Sequence, residues 1–153
     1  MLWQYGNSLE MLQDNISHSS RNVLRGLHFQ QPHGQGKLLT VLRGAIRDIV
    51  VDIRVGSPTY GKWQSYELSE ENCKQLYIPP GLAHGFVVTG DEALVLYKCT
   101  DTYHPECEKT LLWNDPDLGI DWGIEDPIIS DKDQQGTRLK DFAEEDLPVF
   151  QQP

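Results

Sequence analysis

Histidine is the side chain best suited to moving protons near neutral pH, and it is also a common metal ligand. This chain has five: His18, His28, His33, His84 and His104. His28 follows Arg25-Gly26-Leu27 inside an apolar run. In a regular strand Gly26 and His28 share one face, with Leu27 and Phe29 on the other. His28 is then either a hydrogen-bonded core histidine or a group held for chemistry. His28 and His33 bracket a turn, which suggests a metal. The chain has neither His-x-His nor His-Glu-x-x-His, however, and zinc needs three or four convergent ligands. No metal centre is expected. Cys99 and Cys107 lack an activating context and read as small inert thiols. Lys37 opens the next strand, either as a solvated edge residue or as the partner of an anion. Tyr97 and Tyr103, taken alone, read as packing residues with satisfied hydroxyls. Lys132 and Asp133 alone read as solvated loop charges.

The elements that carry these residues are strands. Val23–Phe29, Leu38–Arg43, Ile46–Arg54, Trp63–Leu68, Gln75–Ile78, His84–Thr89 and Ala93–Cys99 are rich in β-branched and aromatic residues. Turn chemistry separates them, including Arg43-Gly44, Gly56-Ser57-Pro58, Pro79-Pro80-Gly81 and Thr89-Gly90-Asp91-Glu92. Short strands with no intervening helix predict an all-β antiparallel sandwich or barrel. Asn7 to Gln13 reads as a short helix or irregular lead-in. After Trp113 loop signals dominate, and Thr137–Asp146 reads as a short acidic helix with Asp131–Asp133 in the loop before it. No linker interrupts the chain, so residues 1–153 are expected to form one domain.

Composition narrows the function classes. At 39% apolar residues the chain can bury a core, and disorder is not expected. No stretch approaches the roughly 20 apolar residues of a membrane helix. Met1 to Asn7 has neither a basic nor an apolar region of the secretory type. Three cysteines, an odd number without metal-type spacing, argue for a reducing cytoplasm. A net charge of −10 argues against nucleic acid or an anionic membrane as partner, but a pocket can still be locally basic.

Two levels of resemblance follow from the motifs. Pro79-Pro80-Gly81-Leu82-Ala83-His84 resembles the second half-motif of cupin barrels, in which a tight turn delivers a histidine onto an inward-facing strand. More specifically, Arg25-Gly26-Leu27-His28-Phe29-Gln30 with Gln35-Gly36-Lys37-Leu38 resembles the dTDP-4-dehydrorhamnose 3,5-epimerases. The likeness continues through Asp52-Ile53-Arg54, Ser57–Trp63, Leu68–Asn72, Gln75–Pro79, Ala83–Phe86, Tyr97-Lys98, Trp113–Pro116 and Ser130–Asp133, and spans roughly residues 13 to 133.

That resemblance implies an antiparallel, cupin-like jelly-roll barrel with a short C-terminal helical segment, using no metal and no cofactor. It implies an isomerase acting on a small molecule, a thymidine diphosphate 4-keto-6-deoxy sugar, in dTDP-rhamnose biosynthesis for cell-surface polysaccharide. Protons would leave and return at C3 and C5, both alpha to the C4 ketone. His28 matches the general base, and Asp133 the aspartate that fixes its tautomer. Lys37 matches the cation at the enolate oxygen, and Tyr97 the proton donor on the opposite face. Gln13, Asp14 and Asn15 match a run that touches nucleotide and sugar. Arg25 matches a diphosphate ligand, His84 a sugar or phosphate contact, and Tyr103 the aromatic that stacks on thymine. Glu108 and Lys132 match further binding positions. Arg25, Lys37 and Lys132 together would make the pocket positive. A cytoplasmic homodimer without nucleic-acid or membrane partners is also implied.

The family's usual chain starts earlier, with an opening strand and an Arg-Gly-x-Phe-x-Glu segment. Trp3 to Leu9 has no arginine, so the domain is expected to lack that strand and to bind nucleotide more weakly. Two other readings stay open: a mono-epimerase of another deoxysugar pathway, and a non-catalytic nucleotide-sugar-binding paralogue.

Overall fold

The computed structural model describes residues 9–151. The reading of Met1–Asn7 as a non-secretory start lies outside those residues, as does that of Trp3–Leu9 as lacking the opening segment, except for Leu9. So does the start of the expected Asn7–Gln13 lead-in, whose remaining residues 9–12 form no helix or strand before β1 begins at Gln13.

The described residues form eight strands: β1 Gln13–Ser20, β2 Val23–Gln30, β3 Lys37–Asp52, β4 Trp63–Ser69, β5 Gln75–Ile78, β6 Leu82–Cys99, β7 Glu108–Thr110 and β8 Ile128–Ile129. They form a cupin-like jelly roll. The long strands β3 and β6 pair along almost their whole length and belong to two layers. In the first layer β1 and β5 flank the pair formed by the start of β3 and the end of β6. In the second, β4 and β2 flank the other halves, and β7 adds to β2. All these pairings are antiparallel; only the two-residue β8 runs parallel to β2.

The sequence divides β3 and β6 at Arg43-Gly44 and at Thr89–Glu92, where the structure has continuous strands. The chain bends there instead of turning, with register shifts between Val41 and Arg43 and between Gly44 and Ile46. Gly44 has φ +77, and a Cβ on it would run into the Glu92 carbonyl. Glycine therefore permits the close approach at the bend.

The second layer is buried on both faces. Between the layers, Leu39, Ile78 and Val95 meet Ile46, Leu68, Phe86 and Val88. On the layer's other face, Leu24, Leu27, Phe29, Ile49, Val51 and Val87 pack under the C-terminal segment through Leu111, Trp122, Leu139 and Leu147. Truncating one such leucine to alanine costs roughly 2–5 kcal/mol.

The C-terminal segment differs from its expectation. Thr137–Asp146 is not a helix but two single 3₁₀ turns, Leu139–Asp141 and Glu144–Asp146. Arg138 and Ala143, at ψ 147° and 144°, are extended and break any longer helix. The anchors Leu139 and Leu147 hold the segment to the core, where a short isolated helix would not support itself. The α-helical turn, α1, lies earlier, at Asp131–Gln134. No described helix is long and apolar enough to cross a membrane.

Candidate active site

A cavity of about 420 Å³ opens between the two layers, at the end that the apolar cluster leaves unfilled. Its walls come from β1, the start of β3 and the end of β6 on one side, and from β2 and the start of β6 on the other.

A break in β2 decides which side chains enter this cavity. Arg25 pairs with Phe86 and His28 with His84, so three steps on β2 match two on β6. Strict alternation would point Arg25 and His28 to opposite faces. The extra residue restores them to one face and turns Leu24, Leu27 and Phe29 together toward the outer core. Gly26, at φ +113, makes the irregularity possible. A Cβ there would lie 2.7 Å from both Gly85 Cα and the His84 carbonyl oxygen, so no other residue fits without displacing backbone.

The break also leaves the Gly26 N–H free of the ladder. It donates to Asp133 Oδ2 at 3.2 Å, while Asp133 Oδ1 lies 2.6 Å from His28 Nε2. Ser130 caps α1 by accepting the Asp133 N–H at 3.2 Å, which fixes the turn that presents the carboxylate. Asp133 is 4% exposed. Burial alone would raise its pKa, but the His28 hydrogen bond and charge, with the Gly26 and Ser130 contacts, hold it below the usual carboxylate range.

Lys37 is half-buried at the start of β3, beside Cys99 at the end of β6. Burial pushes its pKa down, against the pull of Cys99, Glu108 and Asp48. Tyr97 also lines the cavity, and burial raises its phenol. His84 donates to or accepts from Asp48 at 2.7 Å, and both are buried. Burial raises the Asp48 pKa, opposed by His84 and Lys37.

Alternation along β1 sends Gln13, Asn15 and Ser17 inward. Asp14 departs from its expectation: it faces outward, where Lys98 Nζ binds both its oxygens at 2.7 and 2.9 Å. Adjacent residues of a strand cannot share a face, so the whole Gln13-Asp14-Asn15 run cannot line one pocket. The remaining predicted site residues come together. Gln13 Oε1 accepts the Tyr103 N–H at 2.7 Å, and the Tyr103 hydroxyl donates to Glu108 Oε2 at 3.0 Å. Glu108 also pairs with Lys132. Arg25 Nε donates to Ser19 Oγ at 2.9 Å. Lys132 is therefore neutralised locally, and the cavity holds a balanced set of charges rather than a purely positive cluster.

Residues at and behind the cavity wall escaped the sequence reading. Ser17, whose buried Oγ has no hydrogen-bond partner among the described residues, belongs to a strand with a single apolar residue, Ile16. Strand recognition relies on apolar alternation, and here the inner face borders a polar cavity while Ile16 points outward. Asp48 carried a usable signal: an acid between Ile46 and Val50 on one strand face must meet a partner if buried.

A family model described as dTDP-4-dehydrorhamnose 3,5-epimerase matches residues 2–141. The dTDP-4-dehydrorhamnose 3,5-epimerase of Methanothermobacter thermautotrophicus is 50% identical over 139 residues, which cover 89% of this chain and 75% of that protein. The crystal structure of the Legionella pneumophila dTDP-6-deoxy-D-glucose-3,5-epimerase in complex with dTDP-4-keto-L-rhamnose superposes with a TM-score of 0.91. It is 47% identical, with 94% of this chain and 77% of that one covered. A 3'-monoepimerase from Streptomyces bikiniensis in complex with dTDP-quinovose has a TM-score of 0.88 at 37% identity, covering 95% of this chain and 75% of its own.

Proposed function

The chain belongs to the dTDP-4-dehydrorhamnose 3,5-epimerase family, and on that premise we propose that it epimerises dTDP-4-dehydro-6-deoxy-D-glucose at C3 and C5 to dTDP-4-dehydro-L-rhamnose. The observation that carries this reading is the 2.6 Å contact between His28 and Asp133 at a cavity also lined by Lys37 and Tyr97.

With its Nε2–H donated to Asp133, His28 keeps a lone pair on Nδ1, and that nitrogen takes the proton alpha to the ketone. Asp133 holds this tautomer and stabilises the imidazolium that forms. Electron density moves from the broken C–H bond to the C4 oxygen, where the Lys37 ammonium meets the developing charge. Tyr97 returns a proton to the opposite face of the same carbon, which inverts it. The ketone that acidifies both carbons is already in the substrate, so the reaction calls for no cofactor. Arg25 suits the diphosphate, whose oxygens match a guanidinium fork. Gln13, Asn15, His84, Glu108 and Lys132 bind the remainder, and Tyr103 stacks on the thymine. The protein acts as a single-domain subunit of a cytoplasmic homodimer, and sedimentation would give its mass in solution.

Turnover in deuterium oxide tests the chemistry. Deuterium at both C3 and C5 of the product is the expected result, and no exchange at either carbon would exclude epimerase activity. The likeness to the 3'-monoepimerase favours one alternative, a single epimerisation, for which deuterium enters one carbon only.

A further inference from the structure

Tyr103 stands at the cavity mouth 47% exposed, and among the described residues its ring stacks on no other. Hydrogen bonds nevertheless hold it at both ends. Its N–H donates to Gln13 Oε1 at 2.7 Å and its hydroxyl to Glu108 Oε2 at 3.0 Å. The peptide groups on its two sides reach one buried side chain, Gln30, which is 6% exposed. The Gln30 carboxamide donates to the Thr102 carbonyl at 3.3 Å and accepts the His104 N–H at 2.9 Å. It donates as well to the His33 carbonyl at 2.8 Å, in the β2–β3 turn. Both of its N–H donors and its oxygen are thus engaged.

We propose that Gln30 is a positioning residue for nucleotide recognition, which sets the Tyr103 ring in place for thymine before the substrate arrives. The inference rests on the reading of Tyr103 as the ring that stacks on thymine. Gln30 lies behind the cavity wall and acts through Tyr103. It follows His28 by two residues on β2 and pairs with Glu108 of β7, whose carboxylate holds the Tyr103 hydroxyl. One strand therefore carries both the proton-transfer histidine and the support of the nucleotide platform. Its regular backbone sets the spacing between the two, which a loop alone would hold less well.

The surroundings fit a preorganised loop. A free loop would lose conformational freedom when the nucleotide binds, whereas one already bonded loses little. Gln35 donates to the Asp101 carbonyl at 2.9 Å, and the Thr100 N–H donates to the Gly36 carbonyl at 2.9 Å. The His33 and His104 rings stack with centroids 4.1 Å apart, which joins the β2–β3 turn to the Tyr103 loop a second time. Packing alone would be met by an apolar side chain of similar volume. A carboxamide supplies in addition both the donor and the acceptor that the two flanks of Tyr103 use. Its loss would leave the His104 N–H and the Thr102 and His33 carbonyls without this partner, and the loop would loosen.

Calorimetric titration of the full chain with dTDP and with inorganic pyrophosphate tests the proposal without requiring turnover. Gln30→Met should weaken dTDP by about 3–10-fold and leave pyrophosphate, which has no thymine to stack, unchanged. In steady-state kinetics KM should rise by a similar factor with kcat held within about 2-fold. Tyr103→Ala should weaken dTDP at least ~5-fold. Adding Gln30→Met to Tyr103→Ala should weaken it no further, because both act through one ring. Gln30→Glu keeps an acceptor for the His104 N–H and should fall between Gln30→Met and the wild type. Circular dichroism confirms that each variant is folded, and Gln30→Glu carries the test if Gln30→Met is not. Unchanged dTDP affinity in the folded Gln30 variants, or equal weakening of dTDP and pyrophosphate, would overturn the proposal. Unchanged dTDP affinity in Tyr103→Ala would overturn the stacking reading itself, and this proposal with it.

Discussion

His28 and Asp133 stand 105 positions apart in the chain, yet their side chains share a 2.6 Å hydrogen bond, and the same carboxylate accepts the Gly26 N–H. One aspartate thus fixes both the ring of the base and the backbone two residues before it. Its orientation comes from the Ser130-capped turn of α1.

Asp133→Asn should lower kcat by roughly 10²–10⁴-fold, because an amide cannot hold the required tautomer or stabilise the imidazolium. KM should change little, since the buried carboxylate is already engaged by His28 and the Gly26 N–H. Steady-state kinetics with dTDP-4-dehydro-6-deoxy-D-glucose would show this. An equal fall for His28→Ala and for the double variant would mark the two residues as one unit.

Tyr97→Phe should separate proton removal from inversion. His28 still removes the alpha proton, so exchange with deuterium oxide continues while product formation falls by about 10²-fold or more. Nuclear magnetic resonance following substrate and product together would read both rates. Loss of exchange in parallel with turnover would count against Tyr97 as the opposite-face acid.

Lys37→Met should remove most activity and, by relieving the cost of burying an ammonium, stabilise the fold by roughly 0.5–2 kcal/mol, the size of gain that single stabilising substitutions commonly give. Burial lowers the Lys37 pKa from its ordinary 10.5, so the unfolded chain holds this proton more tightly than the folded one. The wild type should therefore gain stability as pH rises from the lowered folded value toward 10.5, and the variant should lose that gain. Urea unfolding at several alkaline pH values would measure it.

Asp52 offers a purely structural counterpart. It accepts two side-chain hydrogen bonds from Arg54, at 2.9 and 2.7 Å, and one each from Ser57 and Thr59, both at 2.6 Å. Burial works against its charge, but these bonds outweigh it and pull the pKa strongly down. The folded pKa is depressed, so the stability it adds is present above the unfolded value near 3.9 and is lost as pH falls toward the folded one. Asp52→Asn should cost roughly 1–3 kcal/mol at pH 7 and flatten the loss of stability in acid. Denaturant midpoints from pH 7 down to 3 would test the sign.

The sequence by itself determined the strand-rich class, the family and most of the residues that meet in the cavity. Its runs of β-branched, aliphatic and aromatic residues bounded by turn residues mark β2, β4 and β5. Asp133, Lys132 and His84 were also legible, but only through the order and spacing of whole motifs. The tertiary structure decided the rest. The extra residue at Gly26 is invisible to an alternation pattern, yet it lets Arg25 and His28 face one cavity. β1 was hidden because its inner face borders a polar cavity instead of a core. Asp14 was set outside by that strand's pleat. Asp48 and His84, like His33 and the Asp101–His104 loop, are distant in sequence and meet only where β3, β6 and β2 lie side by side. Local patterns record which face of a strand is buried; which residues meet across the barrel is fixed only when long-range pairing sets the register.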